Sequence, residues 1–495
     1  MPSRIICART ICDGSGVPPF AGRVVIADGV IRAVEPLPSD APEIRALPED
    51  GRILAPGLID SHGHSDLSVF AMPEAEGKAR QGITTEIAGN CGLSAFPLTG
   101  GNRAHLEELY RNYRTPLAWH DFASYRAAQK ARHPALDVIP LVGHNTLRAA
   151  VAGYEKKHLS AAEIARMQEL LDRELAAGAP GLSGGFLYVP GCFAAMEEVV
   201  ALLEVVARYD RIFTIHLRSE GDRLEEALDE TLTAARRAGL GKIHLSHLKT
   251  AGAANFHKLP SILNALNTKD LRVTGDVYPY TAAMTQCGAV LPEPYDTMSD
   301  TALTVHLADE GRFQTALAAL RRARQSDYWR NVMIVNAAPA FQDCAGKMLT
   351  VAAERRQLPP EELFLRLIQC DAVNTVGAFH TLSRENMEVI ARHEHVVPGS
   401  DESARNRTLR FGASHPRGFG TMPEYFQLLR ARGQSAAAVI ARMTGIPAGI
   451  FGLADRGLIA PGRRADLIWL DPEKFRARAT YEKPHLPAEG VEPVA

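Results

Sequence analysis

The chain has 495 residues, 46% of them hydrophobic and 23% charged, with a formal net charge of -2. This is the composition of a globular protein large enough for more than one domain, and it excludes a disordered chain. No run of one charge sign points to nucleic acid or an anionic membrane surface, and no apolar stretch is long enough to cross a bilayer.

The seven cysteines (Cys7, Cys12, Cys91, Cys192, Cys287, Cys344, Cys370) are scattered and odd in number, with no Cys-x-x-Cys pair. That pattern argues against a disulfide framework and a structural zinc ribbon. The first residues lack the apolar core of a signal peptide, so a reduced, cytoplasmic setting is expected.

In chain order, Arg4 to Cys12, Gly22 to Ala27 and Val30 to Val34 read as short strands separated by Asp13-Gly14-Ser15-Gly16 and Asp28-Gly29 turns. Near the other end, Gly457 to Gly462 leads into an apolar strand over 465–471. The two ends are expected to build one small β module together. Between them, apolar strands alternate with helical segments, the signature of βα units around a parallel sheet. Ser160-Ala161-Ala162-Glu163 has capping-box spacing ahead of Ile164, Met167, Leu170, Leu171 and Leu175. A second helix is predicted from about Asp222 to Ala238, ending at Gly239.

Eight strand candidates emerge: Ile53 to His64, Gly82 to Ala88, Val138 to Val142, Pro180 to Ser183, Ile212 to Leu217, Lys242 to His247, Leu271 to Tyr278 and His395 to Gly399. Eight such units predict an α/β fold of the (β/α)8 TIM-barrel type, with its chemistry at the C-terminal ends of the strands. Residues 55–445 are assigned to that barrel, and 1–54 with 446–495 to a terminal β-sandwich. The connection between strands seven and eight is too long for an ordinary crossover, so a lid is expected over 283–345.

Polar residues gather at one end of these strands. His62 and His64 alternate on strand one and so face one side. Cys91 follows strand two, His144 ends strand three, Tyr188 follows strand four, His216 ends strand five, His247 and Lys249 end strand six, Asp276 and Tyr278 end strand seven, and Asp401 follows strand eight. Zinc takes His and Cys ligands, and a catalytic site keeps a position open for water. His62, His64, Cys91, His216 and His247 are the candidate metal ligands, enough for one closed site or two incomplete ones. Cys91 alone would read as a small buried hydrophobe; its place at a strand end between Asn90 and Gly92 sets the metal reading level with that one. The short apolar run of strand four has no Lys or Glu to bridge metals, a place that a cysteine thiolate can fill. His244 lies inside its strand and is taken as structural, and His144 as a hydrogen-bonding neighbour. Asp401 is the candidate general base and acid. Lys249, Tyr278 and Arg417 form a set suited to a substrate carboxylate.

Pro56 to His64, Gly82-Ile83-Thr84-Thr85-Glu86, Gly89-Asn90-Cys91-Gly92, His216-Leu217-Arg218-Ser219-Glu220, Ser246-His247-Leu248-Lys249, Asp276 to Tyr280, Gly399-Ser400-Asp401 and His415-Pro416-Arg417 occur in that order. Together they resemble the N-acyl-D-amino-acid deacylases (D-aminoacylases) of the amidohydrolase superfamily, over nearly the whole chain. The resemblance implies one zinc held tightly by Cys91, His216 and His247, and a second, weaker metal position at His62 and His64. It further implies Asp401 as general base and acid, and hydrolysis of the linear amide of a small-molecule N-acyl-D-amino acid, with Tyr188 as a donor to the oxyanion of that hydrolysis. The D configuration rests on the resemblance.

Two departures bear on substrate detail. Ala283-Met284 stands where many relatives carry Gly-Ser, and the Asp401 loop reads Asp-Glu-Ser instead of Asp-Gly. No obvious arginine directly follows Tyr280, which speaks against the D-glutamate-specific branch. Cyclic-amide hydrolysis or deamination on the same barrel is the alternative chemistry, and a non-catalytic scaffold would require lost ligands.

Overall fold

The computed structural model describes residues 4–154, 158–408 and 414–494. Its centre is a closed ring of eight parallel strands: Leu58–Asp60, Ile83–Ala88, the paired pieces Asp137–Pro140 and Val142–Gly143, Gly181–Gly185, Ile212–His216, Lys242–Leu245, Arg272–Val277 and Val396–Pro398. Each pairs in parallel with the next. The ring closes where Ser61 N–H donates to Pro398 O at 3.3 Å and Gly63 bridges Glu402. This is the expected α/β barrel with an auxiliary β unit.

That unit is a six-stranded sheet drawn from both ends of the chain. Arg4–Ile11, Phe20–Ala27 and Val30–Pro36 run antiparallel, and Leu467–Leu470 joins them through Ile53–Pro56. Strand one therefore divides, because Ile53–Pro56 belongs to the terminal sheet and only Leu58–Asp60 to the barrel. The boundary lies at Gly57, beyond the expected 54. A Cβ on Gly57 would stand 2.1 Å from Thr84 Oγ1, so the crossing requires glycine. At the other boundary, Ile450 and Phe451 pack with barrel residues Ile87, Ile139 and Val397, so the chain after 446 still serves the barrel core before reaching the sheet.

The insert runs further than the expected 345. Ala283–Gln286 pairs antiparallel with Val376–Phe379, which in turn pairs with Val332–Asn336. One apolar cluster from Cys287 to Phe379 fills this body, including Leu363, Phe364 and Leu367 of the helix Pro360–Cys370. The helices Leu349–Arg356 and Pro360–Cys370 are therefore part of the insert, since their apolar faces are buried in its own core, whereas Met387 and Ile390 of the next helix, Arg384–Arg392, pack in the barrel core.

Local signals held where the predicted segment had a buried face. The helix Ala161–Ala176 carries its capping box, with Ser160 Oγ accepting from Glu163 N and Glu163 Oε2 accepting from Ser160 N at 2.8 Å. Met167, Leu170, Leu171 and Leu175 are buried and Ile164 only partly so. The second helix spans Leu224–Arg237.

Candidate active site and metal centre

At the C-terminal rim of the barrel, His62, His64, Cys91 and Asp401 bring potential ligand atoms within 4.8 Å of one another, and so do Cys91, His216 and His247. Cys91 belongs to both sets. Its Sγ lies 3.4 Å from His62 Nε2 and 3.3 Å from His247 Nε2. Buried ligand atoms facing one another around a thiol suit zinc, whose borderline softness takes sulfur and imidazole nitrogen. His216 adds a second indication, because both its ring nitrogens are buried without a hydrogen-bond partner in the structure. Buried polar atoms are ordinarily partnered, and a ligating nitrogen is the exception that a metal resolves.

Backbone strain concentrates here. Cys91, His247 and Asp401 have φ of 53°, 33° and 50°, in the left-handed region that residues with a Cβ seldom occupy. Flanking glycines allow the chain this close: a Cβ on Gly185 would meet Cys91 O at 1.9 Å, and one on Gly399 would meet His62 Cβ at 2.5 Å.

Behind the ligands stand carboxylates. Asp276, fully buried, accepts from His62 Nδ1 at 3.0 Å, from His244 Nε2 at 3.0 Å and from His247 N–H at 2.9 Å. Glu220 Oε1 lies 2.9 Å from His247 Nδ1. A carboxylate at Nδ1 leaves the Nε2 lone pair free for a metal. Asp276 appears among the strand-end residues in the sequence, but its contact with His62 spans 214 positions. Glu220 lies in the His216 motif four residues on, and its role follows only from where the loop carries it.

Electrostatics match a cation site. Burial alone would raise the Cys91 thiol, yet His62 and His247 hold it well below its ordinary range. Burial opposes charge on His64 as well, but Asp401 and Cys91 push it up to about 10. A dication held by these residues would take over the stabilisation of the thiolate, and its binding would release protons.

Of the substrate candidates, Lys249 is buried and forms an ion pair with Glu220 at 2.5 Å. Arg417 is 2% exposed, begins the helix Arg417–Ala431, and stands 2.8 Å from Asp401 Oδ2. Asp401 Oδ1 is also 3.0 Å from His64 Nε2. Tyr278 holds its ring 4.7 Å from the Arg417 guanidinium and its hydroxyl is buried without a partner. Tyr188 OH lies 3.0 Å from Thr285 Oγ1 of the insert, and its ring is 4.8 Å from that of His216. His144 is drawn off the centre by Glu198, at 3.0 Å. Glu402, the departure beside Asp401, is buried and engages Arg405 at 3.4 Å. Lys249, Tyr278, Arg417, Tyr188, His64 and Asp401 open on one cavity of about 750 Å³, part of whose wall comes from insert residues such as Met284 and Tyr328.

The profile described as Amidohydrolase family matches residues 50–352. The chain is 33% identical to N-acyl-D-glutamate deacylase of Alcaligenes xylosoxydans xylosoxydans over 493 residues, covering 98% of this chain and 90% of that protein. The crystal structure of N-acyl-D-glutamate deacylase from Bordetella bronchiseptica, with zinc and a phosphonate mimic of the tetrahedral intermediate, superposes with a TM-score of 0.80 at 30% identity, over 99% of this chain and 94% of that one. A D-aminoacylase whose binuclear metal centre shows one-metal activation and second-metal attenuation gives a TM-score of 0.77 at 28% identity, over 98% and 94% of the two chains. By sequence and by fold, then, this chain belongs to the N-acyl-D-amino-acid deacylases of the amidohydrolase family.

Proposed function

We propose that the protein hydrolyses the amide bond of N-acyl-D-amino acids in a zinc-dependent reaction, releasing a carboxylate and a free D-amino acid. The observation that carries this reading is the sharing of Cys91 between two ligand sets, with Asp401 in one of them. Cys91, His216 and His247 would hold the tightly bound zinc, and His62 and His64 with Cys91 the weaker one. Bound zinc supplies Lewis acidity, which polarises the acyl carbonyl and makes a water acidic near neutral pH.

Asp401 would take the proton of that water and return it to the leaving amine nitrogen, which its place between His64 and Arg417 supports. Arg417 would divide its charge between Asp401 and the substrate carboxylate, with Lys249 and the unpartnered Tyr278 hydroxyl completing the clamp. Tyr188 would donate to the charge developing on the acyl oxygen. The cavity wall from the insert would exclude water once substrate is bound. We further assign the reaction to the cytoplasm: all seven cysteines are free, and among the described residues no helix is long and apolar enough to cross a membrane.

A panel of N-acetyl-D- and N-acetyl-L-amino acids, with metal-replete enzyme and the Asp401→Asn variant, tests the reading. D-amino acids should be released by the wild type, and the rate should fall by on the order of a thousandfold in the variant, the middle of the range for proton transfer. Absence of release from every member with zinc bound would reject the assignment.

A further inference from the structure

Beneath the metal-facing residues lies a second buried charged cluster that this chemistry does not use. Lys78 is fully buried, and its Nζ donates to Asp60 Oδ2 and Ser400 Oγ, each at 2.6 Å, while standing 3.1 Å from Glu86 Oε2. Ser400 gives both of its donors to one carboxylate, N–H to Asp60 Oδ1 at 2.8 Å and Oγ–H to Asp60 Oδ2 at 2.6 Å. Glu86 accepts from Ser65 N–H at 2.9 Å and from its hydroxyl at 2.7 Å. Asp60, Ser65, Glu86 and Ser400 are all 0% exposed.

The placement of these residues in the chain gives the cluster its meaning. Asp60 comes two residues before His62, Ser65 directly follows His64, and Ser400 directly precedes Asp401. Asp401 adopts a φ of 50°, and such strain persists only where surrounding contacts over-determine it. Its own N–H donates to His62 O at 2.7 Å, so the backbone on both sides of the Ser400–Asp401 peptide is tied to strand one. Rotation about that peptide would swing the carboxylate away from His64, 3.0 Å distant.

We propose that Lys78 and Ser400 are positioning residues: through Asp60 they lock the backbone of Asp401 so that its carboxylate stays aimed at the metal centre. This rests on the reading of Asp401 as proton carrier. The cluster lies behind the reacting groups; Asp60 Oδ1 also accepts from His62 N–H at 3.3 Å, so zinc content is the readout that separates an effect on Asp401 from one on that ligand. A salt bridge serving only stability would have no need to seat its serine beside the strained residue.

Lys78→Met would leave two buried carboxylates without a cation and is prone to unfold, so Ser400→Ala is the primary variant and Asp60→Asn, of the same shape, the second. Each is compared with wild type for zinc content, kcat, KM and thermal unfolding, beside Asp401→Asn. The expected result, in protein that remains folded, is a kcat lower by on the order of ten- to a hundredfold, with KM within about twofold and zinc content unchanged, the signature of a misaimed group. Full kcat in folded Ser400→Ala or Asp60→Asn overturns the proposal, as does loss of zinc in parallel with kcat, which would assign the cluster to the ligands. Should Asp401→Asn stay active, the reading of Asp401 itself falls; an inactive Asp401→Asn beside a fully active Ser400→Ala removes the positioning role alone.

Discussion

Replacing Glu220 by Gln separates two demands that one side chain meets. Glu220 Oε1 lies 2.9 Å from His247 Nδ1 and 2.5 Å from Lys249 Nζ, and burial is outweighed by Lys249 and the histidines, so the carboxyl sits well below its usual range. A carboxylate behind a ligating imidazole is worth about 10–100-fold in metal affinity. That corresponds to about 1.4–2.8 kcal/mol. Lys249 is a separate matter. Its side chain is 6% exposed and Glu220 is its acid partner, and removing one member of a buried pair costs about 3–5 kcal/mol because the other charge stays buried. The Gln amide oxygen still accepts a hydrogen bond, so the lower figure is expected for this variant. Zinc affinity, measured by competition with a chromophoric chelator, should fall by at least about tenfold. Denaturant unfolding of the metal-free protein should show the stability loss, and adding Lys249→Met should restore much of that stability without restoring zinc affinity. Zinc affinity within twofold of wild type, alongside the same stability loss, would refute the orienting role and leave Glu220 as a counter-charge for Lys249.

Two further outcomes follow from packing and burial. Gly185→Ala places a Cβ 1.9 Å from Cys91 O, so the Cys91 turn must shift; the variant should lose tightly bound zinc, and cobalt-substituted protein should lose its thiolate-to-metal absorption band. Burial pushes Asp300 up to about 6, against a hydrogen bond from Gln286 at 3.2 Å. An acid whose folded pKa is raised binds its proton more tightly when folded, so its contribution to stability falls as pH rises from about 4 to about 6 and stays low above that. Asp300→Asn should therefore raise the unfolding midpoint at pH 7, with the difference from wild type shrinking to nothing below pH 4; a difference independent of pH would contradict this.

The candidate site was legible wherever its residues share a short repeated context. His62 and His64 alternate just past the strand Leu58–Asp60, and Cys91, His216, His247 and Asp401 each follow an apolar run, so the local pattern places them at one rim once the strands are counted, although the two histidines lie beyond the strand that was expected to carry them. The capping box of the helix Ala161–Ala176 is likewise a local interaction, complete within four residues. What decided the rest acts at long range. Asp276 meets His62 across 214 positions, Lys78 meets Ser400 across 322, and Arg417 turns to Asp401 from the first residue of a helix. None of these pairs leaves a periodic trace, because a buried charge is satisfied by whatever partner the folded chain brings near, not by a neighbour at fixed spacing.

The same distinction governs the element boundaries. Ile53–Pro56 and Leu58–Asp60 read as one apolar strand, yet pairing with Leu467–Leu470 claims the first piece and Ile83–Ala88 the second. The insert ends at Phe379 because Val376–Phe379 completes a sheet begun at Ala283. Residue pattern determined that the barrel and terminal segments are strands, the order in which they come and which side chains reach the rim, but not the strands of the insert. Tertiary structure decided which sheet each strand joins and which carboxylate stands behind each ligand, since backbone hydrogen bonds and buried charges take their partners from the assembled fold.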